Sequence, residues 1–233
     1  MNKKYKMYII PTPIGNLEDM SYRAVRILGE VDVVLCEDTR VTGKLLKHYS
    51  ISAKMESYHA HSNAAKEQKI LDGIEQGIVY GLVSDAGTPT VSDPGVKIIH
   101  EAYKRFGSDI DIISLPGATA LITALSSTGF MGNQFTFHGF LPHKKGRNKI
   151  FTEIFDTDVI AVFYESPHRI MKTLSFIHEN YLESGRTIFV ARELTKLFEE
   201  KIQGNIEYVQ QYFINNPDKI RGEFVVIVDR KNH

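Results

Sequence analysis

Over its first half the chain alternates short apolar runs with amphipathic stretches. Met7 to Pro11 (M-Y-I-I-P), Val31 to Cys36 (V-D-V-V-L-C), a shorter segment near Lys54 to Tyr58, Ile78 to Val83 and Asp111 to Leu115 (D-I-I-S-L) have the length and β-branched content of buried strands. Helices are predicted between them. Ser21 caps Tyr22 to Gly29, whose Ala24, Val25, Ile27 and Leu28 form an apolar face. Another helix runs through Leu45 and Leu46, a third covers Ala64 to Gln76 and ends at Gly77, and a fourth covers Pro94 to Phe106. For the fourth, Asp93 reads as the cap and Pro94 as the first helical residue, where its missing N–H costs nothing. Regular alternation of strand and helix predicts a mostly parallel sheet with its loops converging on one edge. The spacing then changes. Strands are expected at Phe135 to Phe140, Val159 to Glu165, Thr187 to Arg192 and Glu223 to Asp229, with helices around Asn148 to Phe155, Pro167 to Glu179 and Ile206 to Ile214. A boundary in the Leu115 to Ala120 turn divides the chain into residues 1–117, an N-terminal α/β domain with a mostly parallel sheet, and 118–233, a C-terminal α/β domain with a mixed sheet.

The strand ends carry the candidate chemistry. Val83 to Gly95, V-S-D-A-G-T-P-T-V-S-D-P-G, follows a buried strand and is dense in turn residues. Asp85 stands at the carboxyl end of that strand, where open α/β sheets place their ligands; its carboxylate suits ribose hydroxyls or an ammonium group, and Gly87 permits close backbone approach. A tight connection with a solvated aspartate fits the same residues. The first loop, Thr12-Pro13-Ile14-Gly15-Asn16, lacks both G-x-G-x-x-G and G-x-x-x-x-G-K-[ST], which disfavours a dinucleotide or a nucleoside triphosphate. Glu37-Asp38-Thr39-Arg40 read either as a site or as a helix cap with a surface ion pair. His59-Ala60-His61 has a metal-like spacing but no third ligand nearby in sequence, so polar contact with a substrate is the better use. Gly117, in Pro116 to Ala120, serves either ligand approach or helix packing. Charges at strand ends in both halves, among them Tyr164 to Arg169 and Arg192 to Lys196, fit a ligand cleft between domains or an interdomain ion network.

Composition narrows the classes. The chain has 233 residues, 42% of them hydrophobic, enough for a real core. No apolar run approaches the ~18 residues of a membrane span, and Met1 to Lys6 leads into too short an apolar stretch for a signal peptide core. With a single cysteine, Cys36, which reads as a small buried hydrophobe, a cytoplasmic protein is expected. Basic and acidic residues balance at 28 each, so nucleic-acid binding has to come from a local patch, such as His143 to Lys149 (H-K-K-G-R-N-K).

In order along the chain, P-T-P-I-G-N-L-E-D (Pro11 to Asp19), E-D-T-R (Glu37 to Arg40), the Val83 to Gly95 loop, P-G-A-T-A (Pro116 to Ala120), F-x-G-F-L-P-x-K (Phe137 to Lys144), Y-E-S-P-H-R (Tyr164 to Arg169) and R-E-L-T-K (Arg192 to Lys196) closely resemble the ribosomal small-subunit RNA 2'-O-methyltransferase I proteins, a branch of the tetrapyrrole methylase superfamily. The resemblance spans about Tyr8 to Asp229. It implies two α/β domains of the tetrapyrrole methylase type, a homodimer, and S-adenosylmethionine bound in the cleft between domains. The implied product is a 2'-O-methylated cytidine in the decoding region of 16S ribosomal RNA, with the RNA or the small ribosomal subunit as partner and no metal. By motif position the cofactor would meet Pro11, Thr12 and Pro13, then Asp85 and Thr88, then Thr119 and Ala120, and second-domain backbone near Tyr164, Ala191 and Glu223. Glu37, Asp38, Arg40 and His59 are the substrate-side candidates, the acids as proton acceptors and Arg40 as a phosphate or hydroxyl partner. Lys144, Lys145 and Arg147 would hold the RNA backbone with a steep salt dependence. Cobalamin-pathway relatives carry a glycine-rich first loop where this chain has P-T-P-I-G-N, which disfavours a tetrapyrrole substrate. The rivals are a methyltransferase of a small molecule such as a tetrapyrrole precursor, and a non-enzymatic RNA-binding protein on the same fold.

Overall fold

The computed structural model describes residues 4–59, 62–93 and 95–231, and the chain divides into two compact units, Met1–Thr119 and Ala120–His233. In the first, β1 (Tyr5–Ile9), α1 (Tyr22–Glu30), β2 (Val33–Cys36), α2 (Thr39–His48), β3 (Lys54–Ser57), α3 (Ala64–Glu75), β4 (Tyr80–Leu82), α4 (Val96–Phe106) and β5 (Ile110–Ser114) follow one another. The strands form one parallel sheet in the order β3-β2-β4-β1-β5. Strand periodicity explains its two cores. Val33 and Leu35 join Met7, Ile9, Tyr80 and Leu82 on the face covered by Ile70, Ile74 and Ile98 of α3 and α4. Val34 and Cys36 point the other way, against Ile27 and Leu28 of α1 and Leu45 and Leu46 of α2. A parallel sheet covered on both faces needs near-continuous apolar strands, and β2 is buried at every position. Cys36 is one of these core residues, and burial pushes its thiol above the usual range.

The Ser21 side chain accepts from Ala24 N–H and caps α1 as the sequence predicts. The start of α4 differs. Gly95, at φ +128°, is its N-cap, so Asp93 lies two residues outside the helix and does not cap it; Pro94 falls outside the described residues.

The second unit holds α5 (Ala120–Leu125), β6 (Phe135–Phe140), α6 (Arg147–Asp156), β7 (Ile160–Glu165), α7 (Ile170–Tyr181), β8 (Ile188–Arg192), β9 (Glu200–Gly204), α8 (Ile206–Asn215) and β10 (Phe224–Val228). Its sheet runs β6-β7-β10-β8-β9, with β6 and β7 parallel and the other neighbours antiparallel. Phe151, Phe163, Leu174, Val190, Phe213 and Val226 centre its core. Strand β9 has no counterpart in the sequence reading, because E-K-I-Q-G buries only Ile202 and pairs only with β8. Among the described residues no helix is long and apolar enough to cross a membrane.

Candidate functional site

The parallel sheet sets the carboxyl ends of its strands on one edge, and its order places β4 between β2 and β1. The loops after these strands bond to one another. Thr12 and Gly87 exchange backbone hydrogen bonds, Thr12 N–H to Gly87 O at 2.9 Å and Gly87 N–H to Thr12 O at 3.0 Å. Thr12 Oγ1 also donates to Ser84 O at 3.0 Å, and Ser84 Oγ to Gly87 O at 3.0 Å. Thr88 Oγ1 donates to Ala118 O at 2.9 Å, tying in the loop after β5. A Cβ on Gly117 would lie 2.4 Å from Pro11 Cβ, so close packing between loops already requires glycine there. Gly87 has a left-handed φ of +82°, and Thr90 holds a φ of +72° that β-branched residues rarely adopt. Pro11, Thr12 and Pro13 are buried, and Thr88 and Thr119 are half-buried.

Carboxylates dominate the edge. Asp85 is exposed, and its Oδ1 accepts from Asp38 N–H at 3.1 Å, linking the loops after β4 and β2. The Asp38 carboxylate is committed elsewhere, accepting from Arg40 N–H at 2.8 Å as the cap of α2 and from the Arg40 guanidinium at 2.6 Å. Arg40 beside it holds Asp38 down at about 2, which makes it a poor proton acceptor. Glu37 has the opposite environment. Burial pushes its carboxyl up, Asp93 and Asp85 push it further, and a bond from the Asp85 backbone opposes them. Asp93 is raised by burial and by Asp85. Among the described residues Glu37, Asp85 and Asp93 make no ion pair. An edge of carboxylate acceptors fits a cationic ligand rich in hydroxyl and ammonium donors, as S-adenosylmethionine is. Asp93, read from sequence as a cap, and Ser84 are the residues of this edge that sequence reasoning missed. His59 is exposed after the edge strand β3 with its N–H donated to Ser62 Oγ at 3.0 Å, and His61 lies outside the described residues.

In the second unit the register gathers another set of loops. Phe224 stands opposite both Glu165 and Arg192, and Phe140 opposite Tyr164, so the ends of β6, β7 and β8 share an edge with the start of β10. Lys144 and Lys145 are exposed in the loop after β6. Arg147 is not available to RNA, contrary to the expectation from its basic run. It is 7% exposed, donates to Glu165 Oε2 at 3.1 Å and to Pro142 O at 3.3 Å, and lies over the Phe151 ring. Glu165, wholly buried, also pairs with Arg169 Nε at 2.8 Å and accepts from Thr173 Oγ1 at 2.7 Å, while Arg169 donates to Leu141 O at 2.8 Å. The Y-E-S-P-H-R motif is thus a clamp on both ends of the basic loop. No local pattern signals the part Arg147 plays in it, because Arg147 and Glu165 lie on separate elements, α6 and β7. Tyr164, half-buried, accepts from Leu121 N–H at 3.2 Å beside Ala120 and packs edge-on to Phe137 and Phe140. Ala191 has no exposed surface and lies in β8 between β10 and β9, so neither its side chain nor its paired backbone is presented to a ligand. Glu223 is exposed, and its carboxylate binds Lys196 at 2.7 Å.

Residues 6–210 match the family model described as Tetrapyrrole (Corrin/Porphyrin) Methylases. The chain is 43% identical over 229 residues, 97% of its own length and 96% of the other's, to the ribosomal RNA small subunit methyltransferase I of Hydrogenobaculum sp. (strain Y04AAS1). It is 42% identical over 228 residues to the protein of the same name from Bacillus subtilis (strain 168), covering 97% of this chain and 76% of that one. Among solved structures it is similar in fold to diphthine synthase, with a TM-score of 0.71 at 13% identity over 97% of this chain and 90% of that one. It is likewise similar to uroporphyrin-III C-methyl transferase from Thermus thermophilus complexed with S-adenyl homocysteine, with a TM-score of 0.63 at 16% identity over 96% and 97% of the two chains.

Proposed function

Because the chain belongs to the tetrapyrrole methylase family, and within it to the ribosomal RNA small subunit methyltransferases I, we propose that this S-adenosylmethionine-dependent methyltransferase methylates the 2'-hydroxyl of a cytidine in 16S ribosomal RNA. The observation that carries the proposal is the uncompensated carboxylate edge of the first unit, with exposed Asp85 beside a Glu37 of raised proton affinity.

S-adenosylmethionine, when bound, supplies a methyl carbon activated by its sulfonium. Asp85 would accept hydrogen bonds from the cofactor's hydroxyl or ammonium groups, and the loops of Thr12, Gly87 and Thr88, bonded to one another, would help to hold it. A ribose hydroxyl is a weak nucleophile until it loses its proton, and Glu37 is the acceptor of that proton. Arg40 has Nε and Nη2 on Asp38 and retains Nη1 for a substrate phosphate. Lys144 and Lys145 hold the RNA backbone. Alignment of hydroxyl and methyl carbon supplies much of the acceleration in such a displacement. The protein acts as a homodimer, which sedimentation mass would test.

The test is transfer of labelled methyl to small ribosomal subunits lacking the modification, with the product nucleoside identified by mass. Recovery of 2'-O-methylcytidine is expected. Label on a base, or none despite cofactor binding, would overturn the assignment.

A further inference from the structure

Between β8 and β9 the chain crosses from Glu193 to Glu199 in a loop that is strained and yet fully tied down. Glu193 and Thr195 hold left-handed φ values of +50° and +65°, a conformation that neither residue type favours. Backbone bonds fix it, Glu193 N–H to Glu223 O at 3.0 Å, Lys196 N–H to Glu193 O at 3.0 Å and Glu199 N–H to Lys196 O at 3.0 Å. Side chains fix it again, with Thr195 N–H on Glu199 Oε2 at 2.6 Å and the buried Arg192 guanidinium on Phe198 O at 3.1 Å. Gly222 closes against the loop so tightly that a Cβ there would lie 2.4 Å from the Glu193 carboxyl.

All this order hides nothing apolar at the tip. Leu197 is 90% exposed and Phe198 59% exposed, whereas Leu194 at the loop's root is buried. A loop that ordered itself for folding would turn these side chains inward; strain held by many bonds around an exposed aromatic points to recognition. The charges around Phe198 indicate what is recognised. Glu193 and Glu223 are paired with Lys196, Glu199 with Lys201, and Glu200 with Lys219 and Arg192. Arg221 is left: its guanidinium lies 5.9 Å from the Phe198 ring centroid, and among the described residues it makes no ion pair. An exposed ring with an uncompensated arginine over one face is suited to a nucleobase on the other and to its phosphate.

We propose that Phe198, with Arg221 beside it, is a stacking site for an unpaired base of the RNA substrate, presented by the strained Glu193–Glu199 loop. It rests on the RNA substrate proposed above and adds a contact which that proposal does not require. The sheet order supports it. The end of β8 lies on the same edge as the end of β6, three strands away and so about 14 Å at the usual strand spacing. A single strand held at Lys144 and Lys145 would therefore pass Phe198 within a few nucleotides, an interleaving of cations and aromatic rings typical of single-strand recognition.

The test uses the full-length protein with small ribosomal subunits lacking the modification and an RNA fragment spanning the methylated nucleotide. Phe198→Ala is expected to weaken RNA binding about tenfold and raise KM for RNA, with S-adenosylmethionine affinity and the salt slope of binding unchanged, while Phe198→Tyr restores binding. Arg221→Ala is expected to weaken binding and to lower the salt slope. Wild-type RNA affinity in a folded Phe198→Ala would overturn the stacking site and leave the methyltransferase reading intact. Failure of the wild-type protein itself to bind or methylate RNA would overturn both. A changed oligomeric mass with unchanged RNA affinity would assign the loop to contact between copies of the chain, and equally overturn the proposal.

Discussion

At the scale of single residues, the acids of the first unit divide by environment. Removing Asp85 as Asp85→Ala deletes a charged acceptor, so S-adenosylmethionine binding should weaken by about 1.5–3 kcal/mol, tenfold or more, in calorimetry on a protein with unchanged circular dichroism. Glu37→Gln keeps the shape and removes the proposed base; kcat should fall by about 10²–10⁴ with cofactor affinity retained, and the acid limb of the pH profile should disappear. Asp93 is raised by burial and by Asp85, so between the ordinary and raised values the native state holds a proton the unfolded chain lacks. Its contribution to stability is therefore full below the ordinary aspartate range and lost as pH rises through the raised value. Asp93→Asn should melt above the parent at pH 7, and the difference should vanish near about pH 3, under the ordinary aspartate value. The place of Asp85 at a strand end was legible because a strand's apolar run ends just before it. Asp93 was not, because D-P-G is also a good helix start, and only the fold shows Gly95 taking that place.

At the scale of elements, hydrophobic period located strands buried on one or both faces and helices with one apolar stripe, since burial writes itself into spacing. Strand β9 left no such trace, being an edge strand with one buried side chain. The clamp on Glu165 was illegible for another reason. A basic run reads as solvent-exposed until its acid partner is known, and Arg147 finds that partner in β7. Removing Arg147 leaves a wholly buried carboxylate with Arg169 as its remaining ion-pair partner among the described residues, so Arg147→Ala should cost about 3 kcal/mol or more in urea unfolding. Arg147→Lys, which keeps the charge but not the forked geometry, should recover part of it.

At the scale of the whole molecule, charges balance at 28 of each sign, so any RNA affinity has to be local and correspondingly sensitive to few residues. Lys144→Ala with Lys145→Ala should lower the slope of log affinity against log salt by about 1.4–1.8 and leave S-adenosylmethionine binding alone. Strand and helix alternation disclosed the parallel architecture of the first unit directly. The mixed sheet of the second is less legible, because its strand order comes from long-range pairing that no local pattern records.

The reciprocal Thr12 and Gly87 bonds also bear on time. Two amide protons bonded reciprocally between loops that begin at different strands can exchange with solvent only when the two loops part, and one such opening releases both. Their exchange should be slow in the ligand-free protein, and adding the cofactor should slow it little further. Encounter with the cofactor would then be governed by diffusion and desolvation, with no slow closing step visible in stopped-flow binding.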